Sequence, residues 1–581
     1  MSVAAALLPK SRSLTAKRKT PILRLVIFVL LLSSFPALAQ STSPQPVKLD
    51  DDPVLRAMLA EMERSKAQLK LEGVQPPYYI DYRVVDLDDF TAEAVFGAVR
   101  TQSRQHFRVL RVVVRVGDYR QDSYYGAGQG VVDLGPLDDD ELALRHQLWL
   151  ATDRAYKAAS EALTAKQAQL KQFTLDEPVD DFARAPVVQE ISPRARLDFD
   201  SQSWLKTLEE VSGLYRSDPQ IQFLNASVKF SSANRYFVNS EGTVVRSGRA
   251  IYLTDVSGYT QATDGMRLER SHGEAVTNPH ELPSRDKFLS VTRTLLATMK
   301  QLREAPVVEE VYRGPVLLSA DAAATVISGL VGPNILGKRG ALGQNVRTVG
   351  AWANSYKSRV LPEFLSVVDD PSMASFEDQS LLGSYAVDDE GVKTMRVQVI
   401  EKGNLVNYLV GREPIRDFPA SNGHGRAAGA AVPQASVGNL VVQATKSSSD
   451  AELKKKLLEI CRQRGLPYGY MVETFGPRLV PRLLYRVWVK DGHTELVRGA
   501  IFGDLDTRSL RNDVIAAGQN LAVESRIEPV PQSVLSPALL FDELEIKRAD
   551  ASKEKLPEYP APGLMKTQAN SGQSRPSAGS E

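Results

Sequence analysis

An alternation of apolar and basic residues between Phe107 and Val116 constrains the fold more than any other feature of this chain. Arg111 and Arg115 fall on one face of an extended chain in this segment. Four aliphatic residues share the opposite face: Leu110, Val112, Val114 and Val116. Because successive side chains of a strand lie on opposite faces, the pattern predicts an antiparallel sheet with one face on a core and one face in water. Tyr78 to Val85 is a second predicted strand.

Helical segments are interspersed with strands through the first half of the chain. A helix begins at Asp52-Pro53, since Asp is a favoured N-cap residue and Pro suits the first helical position. A longer helix follows Asp138-Asp139-Asp140 and extends to about Leu170, with the acids at the positive end of the helix dipole. Two further strands and one helix are predicted: Asn225 to Phe237, Thr243 to Thr254, and about Asp286 to Leu302.

The second half of the chain is strand-rich and is interrupted by glycine-rich loops. A strand at Gly314 to Leu318 precedes a helix at Asp321 to Leu330, for which Ser319 is the expected N-cap. The other predicted elements are a hairpin of Val397 to Glu401 and Leu405 to Val410, a helix at Asp450 to Arg464, and strands at Leu483 to Val489 and Glu495 to Gly499. The predicted fold class is therefore α+β, with an N-terminal half like an α/β sandwich, containing an antiparallel sheet and long helices, and a C-terminal β-rich half with glycine-rich loops.

The first forty residues have the pattern of a cleaved secretory signal, with an uncleaved anchor as the alternative. Lys17-Arg18-Lys19 and Arg24 precede an apolar run from Leu25 to Leu32, and Ala37-Leu38-Ala39 is a small-residue cleavage site. The run is shorter than the roughly 20 residues that span a bilayer, so we expect export to the periplasm or beyond the cell. The predicted organisation is a signal peptide (1–39), a linker (40–50), an N-terminal α+β region (51–305), a C-terminal β-rich domain (306–548) and a disordered tail (549–581).

Charge and cysteine content exclude several classes of function. The chain has 71 Lys and Arg against 70 Asp and Glu, so it has no net field to attract nucleic acid or an anionic membrane. Cys461 is the only cysteine in 581 residues, which leaves no intramolecular disulfide and no cysteine-rich metal site. Stability after export must come from large cores, and Cys461 is expected to be a small buried residue of its helix.

The sequence contains no complete catalytic zinc, serine or cysteine site. No two of the six histidines have the helical spacing that a zinc peptidase requires beside its catalytic glutamate. His280-Glu281 is an isolated dipeptide in a predicted loop, and the chain has no G-x-S-x-G elbow.

Two acidic clusters and one glycine-rich loop are the candidate sites. Asp369-Asp370 and Asp388-Asp389-Glu390-Gly391 fall where strands turn, and we interpret them as a structural motif that holds turns. Binding of Ca²⁺ or Mg²⁺ is the alternative, although neither cluster has the spacing of a calcium loop. Glycines in the loop of residues 421–426 would let the backbone of an extended ligand approach closely, with a plain surface loop as the alternative. The candidate peptide-contact residues are Asn422, Gly423, His424, Gly425 and Arg426.

Several of these segments resemble the TldD/PmbA peptidase family. The resemblance is carried by Gly314 to Ala324, Val367 to Pro371, Gly383 to Gly391, the hairpin at Val399 to Leu409, and Ser421 to Arg426, which matches the family's glycine-and-asparagine loop. The turn at residues 239–242 also fits, and the order and spacing agree over about residues 225–518.

This resemblance implies a peptidase assembly. One subunit type of the family carries H-E-x-x-x-H on the helix after the first strand of the C-terminal domain and binds zinc with a further cysteine. The other type lacks the motif and pairs with the first to act on unfolded peptides. Here the equivalent segment, Thr325 to Val331, contains no His or Glu, and Cys461 does not match the zinc cysteine. The chain therefore resembles the zinc-free type, which implies no cofactor of its own, zinc in a TldD-like partner subunit, and a homo- or heterodimer.

Three hypotheses about function follow. The first is an exported subunit that takes part in metallopeptidase-type proteolysis of unfolded peptides and binds an extended peptide at a sheet edge. The second is a non-catalytic peptide-binding or scaffold protein on the same fold. The third is a self-sufficient hydrolase that uses the acidic clusters with a borrowed metal. Because its own zinc motif is absent, the sequence leaves open whether this chain is itself an enzyme.

Overall fold

The structure, a computed structural model, describes residues 51–173 and 179–550. The predicted signal peptide, the predicted linker and nearly all of the predicted tail lie outside the described residues. Within the described ranges, no helix is both long enough and apolar enough to cross a membrane. The two sheets of these ranges belong to one compact unit.

The first sheet confirms the predicted strands and extends them. Its strands run in the order β3-β2-β1-β5-β6-β4, and β7 pairs with β6 beyond β4. All neighbours are antiparallel except β4 and β6, which are parallel. The strands are β1 (Tyr79–Val95), β2 (Ala98–Arg115), β3 (Val131–Gly135), β4 (Gln189–Ile191), β5 (Ile221–Asn239), β6 (Val244–Gln261) and β7 (Arg267–Val276).

Four helices cover one face of this sheet: α1 (Pro53–Gln68), α2 (Glu141–Leu170), α3 (Ser201–Gly213) and α4 (Arg285–Glu304). The predicted caps are confirmed, because Asp52 accepts from the backbone N–H groups of Val54 and Leu55, and Asp140 accepts from that of Ala143. The first two helices pack on strand residues such as Tyr82, and the other two pack on the same face further along the strands. This layer is the N-terminal core.

The opposite face of the sheet is not in water, so the predicted wet face is wrong. Arg111 and Arg115 are only 3% and 5% exposed. The Arg111 guanidinium donates to the carbonyl of Ala430 at 3.0 Å, and that of Arg83 donates to the carbonyl of Ala431 at 3.1 Å. A loop more than three hundred residues away in sequence covers this face. Alternation identifies which residues share a face, but it does not show whether a remote segment covers them.

The second sheet is mixed and has eleven strands within the described residues. Its continuous order is β13-β12-β9-β16-β22-β8-β17-β18-β19, and β20 and β21 also pair with β22. The strands are β8 (Tyr312–Leu318), β9 (Leu365–Asp369), β12 (Val397–Glu401), β13 (Asn404–Leu405), β16 (Asn439–Ala444), β17 (Tyr468–Phe475), β18 (Pro481–Trp488), β19 (Thr494–Val497), β20 (Ala500–Phe502), β21 (Val514–Arg526) and β22 (Gln532–Arg548). Two short pairs lie outside it: β10 (Ser375–Phe376) with β11 (Gln379–Ser380), and β14 (Gly425–Arg426) with β15 (Gln434–Ala435).

Two helices pack on the two faces of this sheet: α5 (Ala320–Leu330) and α6 (Asp450–Gln463). Val316 and Leu318 of β8 lie in the same core as α5, whereas the intervening Leu317 packs with α6. The predicted N-cap of α5 is confirmed, since the Ser319 side chain accepts from the backbone N–H of Ala322. Helix α6 begins with a capping box between Ser449 and Glu452. A short helix, α7 (Thr507–Asn512), precedes β21.

The predicted hairpin forms, but its second strand is shorter than expected. Val397–Glu401 is confirmed as β12, whereas β13 ends at Leu405 instead of continuing to Val410. Leu409 instead exchanges backbone hydrogen bonds with the segment after α5, donating to Ile335 and accepting from Gly337. After β13 the chain therefore leaves the hairpin and pairs with the segment that follows α5.

Candidate functional site

The acidic segment Asp388–Gly391 forms a buried turn between the two halves of the protein. One carboxylate oxygen of Asp388 accepts from the backbone N–H groups of Glu390 and Val392, at 3.0 and 2.9 Å. The other oxygen accepts from the backbone N–H of Gly425 at 2.9 Å. Asp388 thus ties its own turn to the loop of residues 421–426, with backbone amides as its hydrogen-bond partners.

Asp389 connects the same turn to the N-terminal sheet. Its carboxylate forms an ion pair with Arg235 of β5 at 2.7 Å and lies 3.4 Å from the Arg426 guanidinium. Burial acts to raise the pKa of Asp389, but Arg235 and Arg426 outweigh burial and hold this pKa at about 2. The carboxylate is therefore ionised and serves as a fixed link between the halves.

Asp388 and Glu390 have the opposite electrostatic character. Burial raises the pKa of both carboxyl groups, and the nearby Glu390 raises that of Asp388 further. Glu390 accepts the backbone N–H of Arg412 at 2.5 Å, with its carboxylate packed against Gly411 and Gly425. Like charges this close disfavour double ionisation, so the pair holds a proton more readily than isolated carboxyls do.

The candidate peptide-contact loop is buried in this structure. His424 is fully buried, and its Nε2 lies 3.1 Å from a carboxylate oxygen of Asp369, which is also fully buried. Its Nδ1 lies 2.9 Å from the carbonyl of Asn422. Arg426 is 6% exposed and stacks on the Tyr385 ring with 4.0 Å between the guanidinium carbon and the ring centroid. These groups already have protein partners, and direct contact with a peptide stays a prediction.

In the second acidic pair, Asp369 lies in the interior and Asp370 lies nearer the surface. Asp369 accepts the backbone N–H of Gly438 at 3.0 Å in addition to its contact with His424. Asp370 accepts the backbone N–H of Ser372 at 3.1 Å and lies 3.7 Å from the exposed Arg396. Both carboxylates thus have protein partners at a turn that follows β9.

Arg412 is the central basic group between the halves. It is 1% exposed, and its guanidinium donates to both carboxylate oxygens of Glu241 at 2.8 and 3.0 Å. Two further N–H groups donate to the carbonyl of Ala183 at 3.0 and 2.8 Å. The guanidinium carbon also lies 3.9 Å from the ring centroid of Phe182. One side chain from the C-terminal half thus binds two separate segments of the N-terminal half.

A cleft of about 530 Å³ lies at another part of the boundary between the sheets. Strands β5, β6 and β7 supply one wall, and α5, β17, β18 and β21 supply the other. The aromatic residues Phe223, Tyr259 and Phe475 contribute apolar surface. None of the candidate residues 422–426 lines this cleft. Its size is in the range of pockets that bind small ligands, so we take this cleft as the candidate binding site.

Each wall of the cleft includes a strand with an unpaired edge. Among the described strands, β7 pairs only with β6. From Leu521 to Arg526, β21 pairs with β22 on one side, and no strand of the described ranges pairs with its other side. Val523 and Glu524 of this segment line the cleft. Unpaired edges present backbone donors and acceptors that an extended peptide can use.

The cleft does not offer a zinc site. Helix α5, which the resemblance equates with the zinc-binding helix, contributes Asp321 and Thr325 to the lining. A catalytic zinc ion takes three protein ligands from imidazole, thiolate or carboxylate groups. Across residues 51–173 and 179–550, no group of three or more His, Cys, Asp and Glu side chains is placed to hold a metal ion. The residues present therefore do not fit a catalytic zinc ion.

Sequence patterns do not single out Arg412 or Arg270, although both are prominent in the structure. Arg412 binds Glu241, which is 171 residues away in sequence, and Arg270 binds Thr474, which is 204 residues away. Neither arginine belongs to a motif that the sequence analysis singled out, so periodicity and spacing carry no signal for it. Only the packing of the two halves creates these contacts.

Cys461 is a buried residue of α6, as predicted. It is fully buried beside Leu457, with Gly469 of β17 packed against its sulfur. Burial raises the pKa of the Cys461 thiol to about 11, which leaves little reactive thiolate near neutral pH.

We expect the folded protein not to react with a thiol reagent at about pH 8 and to be labelled fully once it is unfolded, because access and thiolate are both lacking in the fold. Mass spectrometry of samples treated with iodoacetamide, with and without denaturant, measures this difference. Rapid labelling of the folded protein at Cys461 would show that α6 opens readily or that the thiol is activated.

Comparison with known protein families identifies a match in the C-terminal half of the chain. Residues 312–548 match the model of the PmbA/TldA metallopeptidase C-terminal domain. A metalloprotease from Archaeoglobus fulgidus is 28% identical over 162 residues, which are 26% of this chain and 35% of that protein. The chain thus spans about a third of the length of the curated relative that it matches.

Solved structures extend the likeness to the whole fold. A protein described as a proposed modulator of DNA gyrase from Thermotoga maritima superposes with a TM-score of 0.58 at 14% identity, over 85% of this chain and 99% of that one. TldE from Thermococcus kodakarensis superposes with a TM-score of 0.55 at 13% identity, over 84% of this chain and 99% of that one. At these identities the likeness shows the fold alone.

The match places residues 312–548 with the C-terminal domain of PmbA/TldA metallopeptidases, in agreement with the resemblance in the sequence. The solved structures add that the two-sheet fold is shared. The α+β fold class is confirmed by the same observations.

Proposed function

We propose that this protein is exported and takes part in metallopeptidase-type proteolysis of unfolded peptides, as the zinc-free partner subunit of an H-E-x-x-x-H homologue. The cleft between the sheets carries the proposal, because it has an unpaired strand edge on each wall and no zinc ligand set. In this role the chain supplies a peptide-binding surface, and the zinc chemistry belongs to the partner.

The edges favour an unfolded peptide over a folded protein as the ligand. An extended chain that pairs with β21 or β7 would satisfy backbone donors and acceptors, each hydrogen bond contributing about 1 kcal/mol. Main-chain pairing depends little on side chains, so recognition would be largely independent of the peptide sequence. A folded substrate has few free backbone groups to offer.

Two further points support the proposal. The sequence resembles the zinc-free type of the family, which implies a zinc-bearing partner homologue. The N-terminal segment of this chain has the basic, apolar and small-residue pattern of an export signal. Within this proposal the loop of residues 421–426 supports the boundary turn, since His424 contacts Asp369 and Arg426 pairs with Asp389.

The first test measures zinc and unfolded-casein hydrolysis on the exported protein, purified from the periplasm or the medium, with its N-terminus sequenced. We expect a start near Gln40, no stoichiometric zinc, and no cleavage by the chain alone. Adding the H-E-x-x-x-H homologue from the same genome should produce or redirect cleavage, because the catalytic metal would then be present.

This test has two controls: the homologue alone, and the mixture treated with a chelator. Stoichiometric zinc and chelator-sensitive cleavage by this chain alone would contradict the proposal. Binding of unfolded peptide without cleavage in every mixture would instead establish a non-catalytic peptide-binding or scaffold protein.

A further inference from the structure

Two charged side chains in the cleft have buried atoms without partners. Arg270, on the β7 wall, donates through one Nη to the hydroxyl of Thr474 at 2.8 Å. Its Nε is buried and has no hydrogen-bond partner, and no carboxylate of the described residues forms an ion pair with it. The two other arginines of the cleft, Arg267 and Arg482, each bind Glu269 at 2.6 Å. Arg270 is therefore the cleft arginine that still has a donor to offer.

Glu524 is the corresponding group on the β21 wall. One of its carboxylate oxygens accepts two N–H groups of Arg526, at 3.0 and 2.9 Å. The other oxygen is buried and has no partner. Burial raises the pKa of Glu524, partly offset by Arg526, and burial lowers the pKa of Arg270. Both directions reflect burial, which disfavours the charged form of each group.

The charges of the cleft balance in number, and Arg270 and Glu524 lie on opposite walls. Three arginines and three carboxylates line it: Arg267, Arg270, Arg482, Glu269, Asp321 and Glu524. A polyanion such as nucleic acid would gain nothing from a site without net positive charge. A ligand with one anionic end and one donor end would satisfy Arg270 and Glu524 together, since a buried charged group without a partner is costly.

We propose that the cleft binds the free end of a peptide, with the terminal α-carboxylate on Arg270 and a backbone or terminal N–H group donating to Glu524. Arginine is suited to this task because its planar guanidinium matches a carboxylate. The rings of Phe223, Tyr259 and Phe475 supply apolar contact for the terminal side chain. This inference rests on the proposed peptide-binding function and adds to it a preference for a chain end over a chain interior.

The test uses isothermal titration of the exported protein with a four-residue alanine peptide ending in phenylalanine, as the free acid and as the C-terminal amide. We expect the free acid to bind about tenfold more tightly than the amide, which removes one charge-assisted contact. Arg270→Met should abolish this difference by weakening the free acid about tenfold, and Arg270→Lys should restore part of it. Glu524→Gln should weaken both peptides while preserving the preference for the free acid.

Arg293→Met is the matched control, because Arg293 is an exposed arginine of α4 outside the cleft. The Arg293→Met protein should bind both peptides as the unmodified protein does. Equal binding of the free acid and the amide to the unmodified protein would overturn recognition of the chain end while leaving peptide binding intact. Failure of both peptides, together with failure of unfolded casein to bind, would overturn the proposed function itself. The comparison of the two peptides on the unmodified protein decides the question even if Arg270→Met does not fold.

Discussion

Replacing Arg412 with methionine is expected to lower the free energy of unfolding by about 3 to 4 kcal/mol. The buried guanidinium donates twice to Glu241 and twice to the carbonyl of Ala183. Methionine fills much of the same volume, so the loss comes from leaving the Glu241 carboxylate without its cationic partner and the Ala183 carbonyl without its two donors. The midpoint and slope of urea unfolding measure the change.

Two variants make this result specific. Arg293→Met removes the same charge from an exposed helical position and should change stability by less than about 0.5 kcal/mol. Adding Glu241→Gln to Arg412→Met should recover part of the loss, because a neutral amide costs less to leave unpaired than a carboxylate. An Arg412→Met protein as stable as Arg293→Met would show that the two halves do not depend on this contact.

Replacing Gly383 with alanine is expected to destabilise the protein by about 3 kcal/mol, because there is no room for a Cβ atom. An added Cβ would fall inside van der Waals contact of the carbonyl group of Gly438 and of the Asn439 side chain. That carbonyl cannot move freely, since it accepts the backbone N–H of Ser533 at 3.0 Å, and the Gly438 N–H binds Asp369. Thermal unfolding followed by circular dichroism measures the effect.

Gly329→Ala is the matched control for this substitution. Gly329 is exposed on α5, and an added Cβ would meet only a methyl group of Leu479 at 3.9 Å. Alanine is favoured over glycine inside a helix by about 1 kcal/mol, so this variant should be as stable as the unmodified protein or more stable. A Gly383→Ala protein that unfolds at the same temperature as Gly329→Ala would contradict the close packing of these loops.

Local signals predicted the elements well because the interactions that start and stop them are local. Asp52, Asp140 and Ser319 cap their helices by accepting backbone N–H groups two or three residues away. The alternation in β2 likewise identified the residues that pack on the helices. Such contacts are encoded within a few residues, so a single sequence contains all the information they need.

The candidate loop shows where such signals end. Its glycines are predicted to let a ligand approach, and that contact stays a prediction. In the structure Gly425, together with Gly411 outside the loop, lets the carboxylate of Glu390 pack against the backbone. Small residues indicate that something comes close, and they do not show whether it is a ligand or another part of the protein. The same ambiguity made Arg111 and Arg115 look solvated when a remote loop covers them.

The sequence by itself determined five of the seven described helices, three of their N-caps, several of the strands, the burial of Cys461, the absence of the zinc motif and the likeness to the family. Only the tertiary structure decided that the polar face of the first sheet is buried, that Arg412 joins the two halves, and that β7, β21 and α5 enclose a cleft containing Arg270 and Glu524. The reason is physical. Helices and strands follow from contacts between near neighbours, whereas the boundary between the sheets brings together residues more than one hundred and fifty positions apart, and no local pattern records that pairing.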